Sequence, residues 1–240
     1  MAGHSKWANI KHRKGRADAI KGKLFSRLTK EIISAVRQGG SDPKSNSKLK
    51  MVLQKAKAAN LPNENIERNI KKAMSADQAD YTEIMYELYG YGGVGIIVEI
   101  MTDNKNRASS DMQIATNKKG GKIAMPGAVA FNFDQKGIIQ IVKNSIEEDD
   151  LFLKATDAGA EDFDSSEDRF IIITPPDQLF SVKEKLEMAG VTVVEAELRM
   201  IPKNYIECDS ENSKANFELI DYLEALDDVD AVYHNLKADE

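Results

Sequence analysis

The sequence is short of the features that mark secreted, membrane-spanning or metal-binding proteins. Cys208 is its one cysteine, so no disulfide can form within the chain, which suits a reducing cytoplasm. No stretch approaches the roughly 20 apolar residues of a membrane-spanning helix, and the basic start is not followed by the apolar region of a secretory signal. The three histidines are not spaced with cysteine or glutamate as metal ligands are. We therefore expect a cytoplasmic protein without a metal or cofactor.

Catalytic and nucleotide-binding motifs are also lacking. Residues 90–95 fit G-x-G-x-x-G, but an apolar strand rather than a helix follows them, which favours a glycine-rich link between two strands. The chain contains no Walker-type loop. Nothing in the sequence groups a nucleophile, a base and a residue that orients them. We therefore expect that the chain is not an enzyme.

What the sequence does contain is a strong separation of charge. Residues 1–80 carry 18 basic and 7 acidic side chains, a net charge of +11, whereas residues 81–240 carry 15 basic and 32 acidic ones, a net charge of −17. Dense like charges repel one another unless a partner neutralises them, and the abundant polyanions of a cell are nucleic acids. The basic part is therefore predicted to bind nucleic acid, while the acidic part repels it and so orients the contact.

The basic part is predicted to be a flexible arm followed by three short helices. Residues 1–20 have no helical apolar face, and a helical stripe then runs from Leu24 to Val36 and ends at Gly39-Gly40. A second helix is expected to begin at residues 41–43, with Asp42 as its N-cap, and a third follows Pro62. Three short helices with short connections should form a bundle, so residues 1–80 are predicted to be one domain.

The acidic part alternates between strand and helix patterns, with a helix predicted over residues 105–119 and a strand over residues 169–174. Residues 137–200 show the order β-α-β-β-α-β, which is that of a ferredoxin-like domain. If they are removed, residues 93–135 and 204–236 each supply β-α-β, with predicted strands at 128–133 and 205–208. The expected fold class is therefore α+β and multidomain: a three-helix bundle followed by two ferredoxin-like α/β domains, one inserted in the other. The predicted boundaries are 81–136 plus 202–240 for the discontinuous domain and 137–201 for the inserted one.

The strongest candidate binding residues lie in the arm and the third helix. Basic side chains neutralise phosphates and release counterions, and Trp7 either stacks on a base or packs on the helical bundle and anchors the arm. The predicted nucleic-acid-binding residues are Lys6, Trp7, Lys11, His12, Arg13, Lys14, Arg16, Lys21, Lys23, Arg68, Lys71 and Lys72.

Two further clusters are possible secondary contacts. Lys118, Lys119 and Lys122 surround Gly120-Gly121, where helix capping and the helix dipole explain them equally well. Asn104, Lys105 and Arg107 lie at a helix start, where good turn chemistry is the alternative to phosphate contact.

Several motifs together resemble the YebC family. They are GHSKWANIKHRK at 3–14, AxNLPxxxIxRxIKKA at 58–73, YELYGYGGVGIIVEIMTDNKNR at 86–107 and GG…PGAVAFNF at 120–133. The chain departs from the family pattern at Leu88, Tyr91 and Ala128. The resemblance implies a helical domain and two α/β domains, one inserted in the other, and a DNA-binding regulator of transcription.

Three functions follow from these observations. The first is a DNA-binding transcriptional regulator, and the second, which relatives of this family also imply, is a translation factor or translational activator that binds ribosomal RNA at the ribosome. The third is a ligand-sensing regulatory module, since ferredoxin-like domains often bind small regulators. An arm that neutralises phosphates does so on DNA or RNA, so the residues alone leave the first two open.

Overall fold

The computed structural model describes residues 17–75, 80–165 and 168–237, with the backbone alone for residues 17–21 and 144. Within these residues the chain forms seven α-helices and two four-stranded antiparallel sheets. The elements in chain order are α1 (Ala17–Gly39), α2 (Ser47–Ala58), α3 (Asn63–Ala73), β1 (Thr82–Tyr89), β2 (Gly95–Thr102), α4 (Lys105–Lys119), β3 (Lys122–Ile123), β4 (Phe133–Val142), α5 (Glu148–Ala158), β5 (Asp162–Ser165), β6 (Arg169–Thr174), α6 (Leu179–Met188), β7 (Val193–Pro202), α7 (Ser210–Ala225) and β8 (Val229–His234).

The three N-terminal helices form a small bundle around the long helix α1. Helices α2 and α3 each pack against α1, and their shared core is made of Leu28, Ile32, Leu49, Val52 and Ile66 among others. The helical spacing of these apolar residues places one apolar stripe of each helix toward the centre and leaves the polar residues outside. The predicted bundle is thus present, and α1 begins at residue 17, well before the apolar stripe.

The predicted start of the second helix was wrong. Asp42 lies in a separate turn, because its carbonyl oxygen accepts from the amides of Ser45 and Asn46. Asn46 is the N-cap of α2: its Oδ1 accepts from the Leu49 amide at 3.0 Å, and its Nδ2 donates to the Ala35 carbonyl at 2.8 Å. Asn46 therefore caps one helix and binds the preceding one, a role that a cap at residue 42 could not serve.

The first sheet has the order β3-β1-β2-β8, and helices α4 and α7 cover one of its faces. Alternate residues of β2, namely Ile96, Val98 and Ile100, point into that core. The opposite face carries Ile97, which packs with Val129 and Phe133 of the connection that leads into β4. Two segments that are far apart in sequence, before and after β4–β7, therefore build this sheet.

The second sheet has the order β5-β6-β4-β7 and is formed by one continuous stretch of the chain. Helices α5 and α6 pack on one face, where Ile139, Ile141 and Ile172 are buried. The order of strands and helices in this stretch is the predicted β-α-β-β-α-β, and its first strand begins earlier than residue 137, at Phe133.

Two predicted strands of the first sheet were wrong. Of residues 128–133, Phe133 alone begins a strand, and the others form turns and a short 3-10 helix at Ala130–Asn132, because the Glu87 carboxylate binds the backbone amides of this segment. Of residues 205–208, Ile206 alone pairs, through a single parallel bridge to Leu236. The missing positions in the sheet are taken by β1 and by the two-residue strand β3.

Candidate nucleic-acid interface

Most of the nucleic-acid-binding residues that the sequence predicts in the arm lie outside the described residues. Those outside the described residues are Lys6, Trp7, Lys11, His12, Arg13, Lys14 and Arg16. Lys21 lies in α1, but its side chain is also outside the description.

Lys23 differs from the expectation that it faces a phosphate. Its Nζ donates to the carbonyl oxygens of Glu224, of Leu226 at 3.0 Å and of Val229 at 3.1 Å, which lie between the last turn of α7 and the start of β8. Burial lowers the pKa of Lys23, although neighbouring carboxylates such as that of Glu224 oppose this effect. A lysine is well suited to the unpaired carbonyls at a helix end. Lys23 therefore attaches α1 to the first sheet.

Two further cations of α1 are neutralised by the acidic part of the chain. The Arg27 guanidinium binds Glu99 of β2 at 2.6 Å and Glu31 at 3.0 Å, and Lys30 donates to the Met101 carbonyl at 2.9 Å. Burial alone would lower the pKa of Arg27, but the two carboxylates raise it overall. These contacts fix the basic bundle on the acidic first sheet.

Most exposed cations of the bundle are on α2 and α3; Arg37 of α1, which pairs with Asp80, and Lys44 are also exposed. The predicted residues Arg68, Lys71 and Lys72 are all exposed on α3, whose buried side faces α1. Arg68 also donates to the Asn65 side chain at 2.8 Å. Lys71 and Lys72 lie in the last turn of α3, where the helix dipole also stabilises a positive charge.

Sequence reasoning missed the exposed lysines of α2. Lys50 and Lys57 are seven residues apart, on the side of the helix away from the buried Leu49 and Val52. Lys55, which lies between them in sequence, instead binds Glu31 at 3.0 Å. The 3.6-residue period of a helix separates these lysines into an outer and an inner set, so helical periodicity is the sequence signal that identifies the exposed ones.

The secondary cluster at the start of α4 is largely structural. The Asn104 side chain caps α4 by accepting from the amides of Asn106 and Arg107. Arg107 binds Asp228 and Asp103, each at 2.8 Å. Lys105 is exposed at the first turn. Turn chemistry therefore accounts for two of the three residues.

The cluster at the end of α4 is more open. Lys118 lies over the Tyr222 ring at 5.8 Å, Lys119 pairs with Glu218 at 3.2 Å on the surface, and Lys122 is exposed in β3. An exposed ion pair is worth at most about 1 kcal/mol, so Lys119 is readily available to a phosphate.

The glycine-rich segment at 90–95 connects two strands, as expected. Tyr91 to Gly93 form a short 3-10 turn, and the buried Asn216 holds it: its Oδ1 accepts from the Tyr91 amide at 2.8 Å, and its Nδ2 donates to the Tyr91 carbonyl at 3.0 Å. A side chain at Gly90 would collide with the Asn216 amide. Nothing local in the sequence signals the role of Asn216, which lies 125 residues away.

A cavity of 330 Å³ lies where α1, β7 and β8 meet. Its walls carry both signs of charge, including Lys23, Arg27, Arg199, Glu197 and Asp230. Arg199 binds Glu197 at 2.9 Å. The volume is at the lower end of the range for small-molecule sites.

Within residues 17–75, 80–165 and 168–237, none of the helices combines the length and hydropathy of a membrane span. The same residues contain no group of three or more histidine, cysteine or acidic side chains arranged to hold a metal ion.

Comparison with known proteins gives matches over nearly the whole chain. Residues 5–76 match the family described as the TACO1/YebC protein N-terminal domain, and residues 81–236 match the TACO1/YebC second and third domain. A probable transcriptional regulatory protein of Protochlamydia amoebophila is 65% identical over all of this chain and 98% of its own length. A protein of Chlamydia pneumoniae with the same description is 58% identical over 98% of this chain and all of its own length.

A solved structure supports the fold. The crystal structure of a conserved hypothetical protein from Aquifex aeolicus superposes with a TM-score of 0.82 at 40% sequence identity, over 98% of each chain.

Proposed function

Because the chain belongs to the TACO1/YebC family, we propose that it is a non-enzymatic, nucleic-acid-binding regulator of gene expression, and specifically a DNA-binding regulator of transcription in the cytoplasm. The descriptions of its relatives support the regulatory role. The observation that carries the proposal is the charge separation, a net +11 on residues 1–80 against −17 on residues 81–240. A polyanion is attracted to the first part and repelled by the second.

The basic residues fall into two sets, one with contacts inside the fold and one exposed to solvent. Lys23, Arg27 and Lys30 use their charge to hold the bundle on the first sheet. The exposed cations of α2 and α3 stay available to solvent, and we assign phosphate contact to Lys50, Lys57, Arg68, Lys71 and Lys72. The arm residues 6–16, with Trp7 among them, extend this surface in the proposal.

We further propose three domains, with residues 1–80 as the binding domain. The other two are a discontinuous domain of residues 81–136 plus 202–240 and a domain of residues 137–201 inserted in it, both of ferredoxin-like type. The sheet order β5-β6-β4-β7, with two helices on one face, supports this type for the inserted domain. In the first sheet, β1 comes before the rest of the motif and takes the position of its third strand.

Crosslinking in cells, followed by sequencing of the bound nucleic acid, tests the proposal. Chromosomal DNA is the expected product. Ribosomal RNA alone would overturn the transcriptional role and favour the translation factor. A variant without residues 1–16 tests the contribution of the arm. It retains α1 from Ala17 onward and the Lys23 contacts, and it should lose most of the crosslinks. A longer deletion to residue 23 would also remove Lys23 and disturb the fold.

The mixed-charge cavity favours a second candidate function, a module that senses a small polar ligand. Free amino acids carry both charges and match its walls, which include Arg199 and Asp230. If this function holds, such compounds should raise the thermal unfolding midpoint of the chain. An Ala231→Leu variant, which partly fills the cavity, should not respond.

A further inference from the structure

The loop between β3 and β4 presents apolar side chains to solvent at a fixed position. Met125 is 78% exposed and Phe131 is 72% exposed, and the ring of Tyr89, at the end of β1, is 41% exposed. Large apolar residues with this exposure are normal singly. Here two of them lie six residues apart in one loop, which calls for a physical explanation.

The carboxylate of Glu87 holds the backbone of this loop in place. This buried carboxylate accepts from the backbone amides of Gly127 at 2.5 Å, Val129 at 2.6 Å and Ala130 at 2.7 Å. Lys203 donates to the Phe131 carbonyl at 2.9 Å from the other side. A loop with this number of charge-assisted hydrogen bonds is preorganised, so the exposed ring costs little entropy to place against a partner.

Lys122 and Tyr89 extend the same surface. They are directly opposite each other in the antiparallel pair β1–β3, so their side chains lie on one face of the sheet. The Tyr89 hydroxyl donates to the Ala128 carbonyl at 2.9 Å, which connects this pair to the loop that carries Phe131. We call Tyr89, Lys122, Met125 and Phe131 the loop surface.

The local charge is the opposite of that of the surrounding body. Residues 117–133 contain three lysines and no acidic residue, although residues 81–240 as a whole have a net charge of −17. The neighbouring acids are already engaged: Glu87 by the loop amides, Asp134 by Lys203 at 3.2 Å and Glu218 by Lys119 at 3.2 Å. The loop surface therefore lies in a basic region of an acidic body.

We propose that the loop surface binds single-stranded nucleic acid, with Phe131 stacking on an unpaired base and Lys122 contacting a phosphate. Exposed aromatic rings interleaved with cations are the arrangement by which proteins bind single strands of any sequence. The inference rests on the proposed nucleic-acid function and adds a second contact, on a different unit from the α2–α3 lysines. An exposed ring beside lysines is complementary to a polyanion that carries bases, which favours this occupant over an apolar protein segment. A contact with the acidic body of a second copy of the chain is an outcome of the test below.

The test compares Phe131→Ala with the full-length chain by fluorescence anisotropy. The probes are labelled single strands of about 12 nucleotides, in the size range of single-strand sites: one of DNA, one of RNA and one abasic strand of equal length. The Phe131→Ala change should weaken binding to strands with bases by about 5- to 150-fold, the usual range for loss of one aromatic stacking contact. Binding to the abasic strand should stay the same, because no base is there to stack.

Three variants serve as controls. Phe152→Ala removes a 51% exposed ring from α5 and should leave all affinities unchanged. Phe131→Trp keeps a stacking ring and should restore affinity for strands with bases. Lys122→Gln should weaken binding to all three strands by the same factor. It should also lower the slope of log Kd against log salt by about 0.7, the value for one phosphate contact on a single strand.

The outcomes separate the two proposals. If the wild-type chain binds none of the strands and no duplex, the proposed function fails and the loop inference fails with it. If the wild-type chain binds but Phe131→Ala binds equally well, or loses as much affinity for the abasic strand, the loop inference alone is overturned. A Phe131→Ala effect on self-association in sedimentation, with unchanged nucleic-acid affinity, would also overturn it in favour of a contact between copies. The DNA and RNA arms show which strand is preferred.

Discussion

The carboxylate of Glu87 should determine whether the loop at 124–132 keeps its shape. Each hydrogen bond to a charged group contributes about 1.5–3 kcal/mol, and Glu87 accepts three from the loop amides. In Glu87→Gln, the remaining oxygen can still serve the amides of Val129 and Ala130 at neutral strength, about 1 kcal/mol each. The new N–H group would face the Gly127 amide, which loses its acceptor. With the lower value for each charged hydrogen bond, the expected loss in local stability is about 3 kcal/mol.

Amide hydrogen exchange measures this loss directly, because it reports local opening of the loop. A change of about 3 kcal/mol corresponds to exchange about 100-fold faster in Glu87→Gln for the amides of Gly127, Val129 and Ala130. The matched control is Glu83→Gln, at an exposed position on the same face of β1, which should leave exchange unchanged. Unaltered protection of the three amides in Glu87→Gln would refute the role assigned to this carboxylate.

The same group predicts a direction for the pH dependence of the loop. Burial alone would raise the pKa of Glu87, but the hydrogen bonds from the loop amides lower it below the ordinary value of 4.5 overall. A lowered pKa in the folded state contributes stability that is complete above the pKa of the unfolded glutamate and is lost as pH falls through the folded value. Loop protection should therefore decrease in acid in the wild-type chain and not in Glu87→Gln.

Three other changes test contacts in and around the first sheet. Asn216→Ala removes both hydrogen bonds to the Tyr91 backbone and should lower the free energy of unfolding in urea by about 2–4 kcal/mol; a loss below about 0.5 kcal/mol would contradict the contact. Gly120→Ala places a methyl group 1.9 Å from the Tyr91 hydroxyl at a φ of +77° and should destabilise the chain by more than about 1 kcal/mol, a penalty that Tyr91→Phe should reduce. Burial raises the pKa of Asp230 from 3.8 to about 6 despite its contact with Lys30 at 3.4 Å. The free energy of unfolding should therefore fall by about 3 kcal/mol as pH rises from about 4 to about 6. Asp230→Asn should remove this pH dependence, and an unchanged dependence would mean that another group titrates.

Local signals predicted the elements that local chemistry controls. The helix at 105–119 has the predicted bounds because Asn104 caps its start and Gly120 ends it, both through neighbours in sequence. The strand at 169–174 also has its predicted bounds, since a short run of β-branched residues between polar ends is sufficient to specify it.

Contacts between distant residues account for the wrong strand at 128–133 and for the partners of Lys23, whereas the N-cap of α2 is a local contact. Residues 128–133 alternate in a way typical of a strand, but Glu87, about 40 residues earlier, binds their amides and bends them into turns. Lys23 belongs to the basic stretch of the sequence, but its partners are the backbone carbonyls of Glu224, Leu226 and Val229, more than 200 residues away. A sequence pattern carries no information about which carbonyl or carboxylate meets a given side chain across the fold.

The candidate site shows the same division. The basic character of residues 1–80 was evident from composition, whereas the separation into structural and exposed cations needed the position of α1 on the first sheet. Arg27 is neutralised because Glu99 of β2 lies 2.6 Å from it, and Lys57 is exposed because its side of α2 faces away from the core.

The salt dependence of DNA binding tests the central claim most directly. The affinity of the full-length chain for a DNA duplex should fall linearly in a plot of log Kd against log salt, with a slope of about 0.9 for each phosphate contacted. A variant with glutamine at Lys50, Lys57, Lys71 and Lys72 should lose up to about 3.6 from the magnitude of that slope, while Lys214→Gln, at an exposed position on α7, should leave it unchanged. A wild-type slope near zero, or an equal slope in the four-lysine variant, would contradict the account.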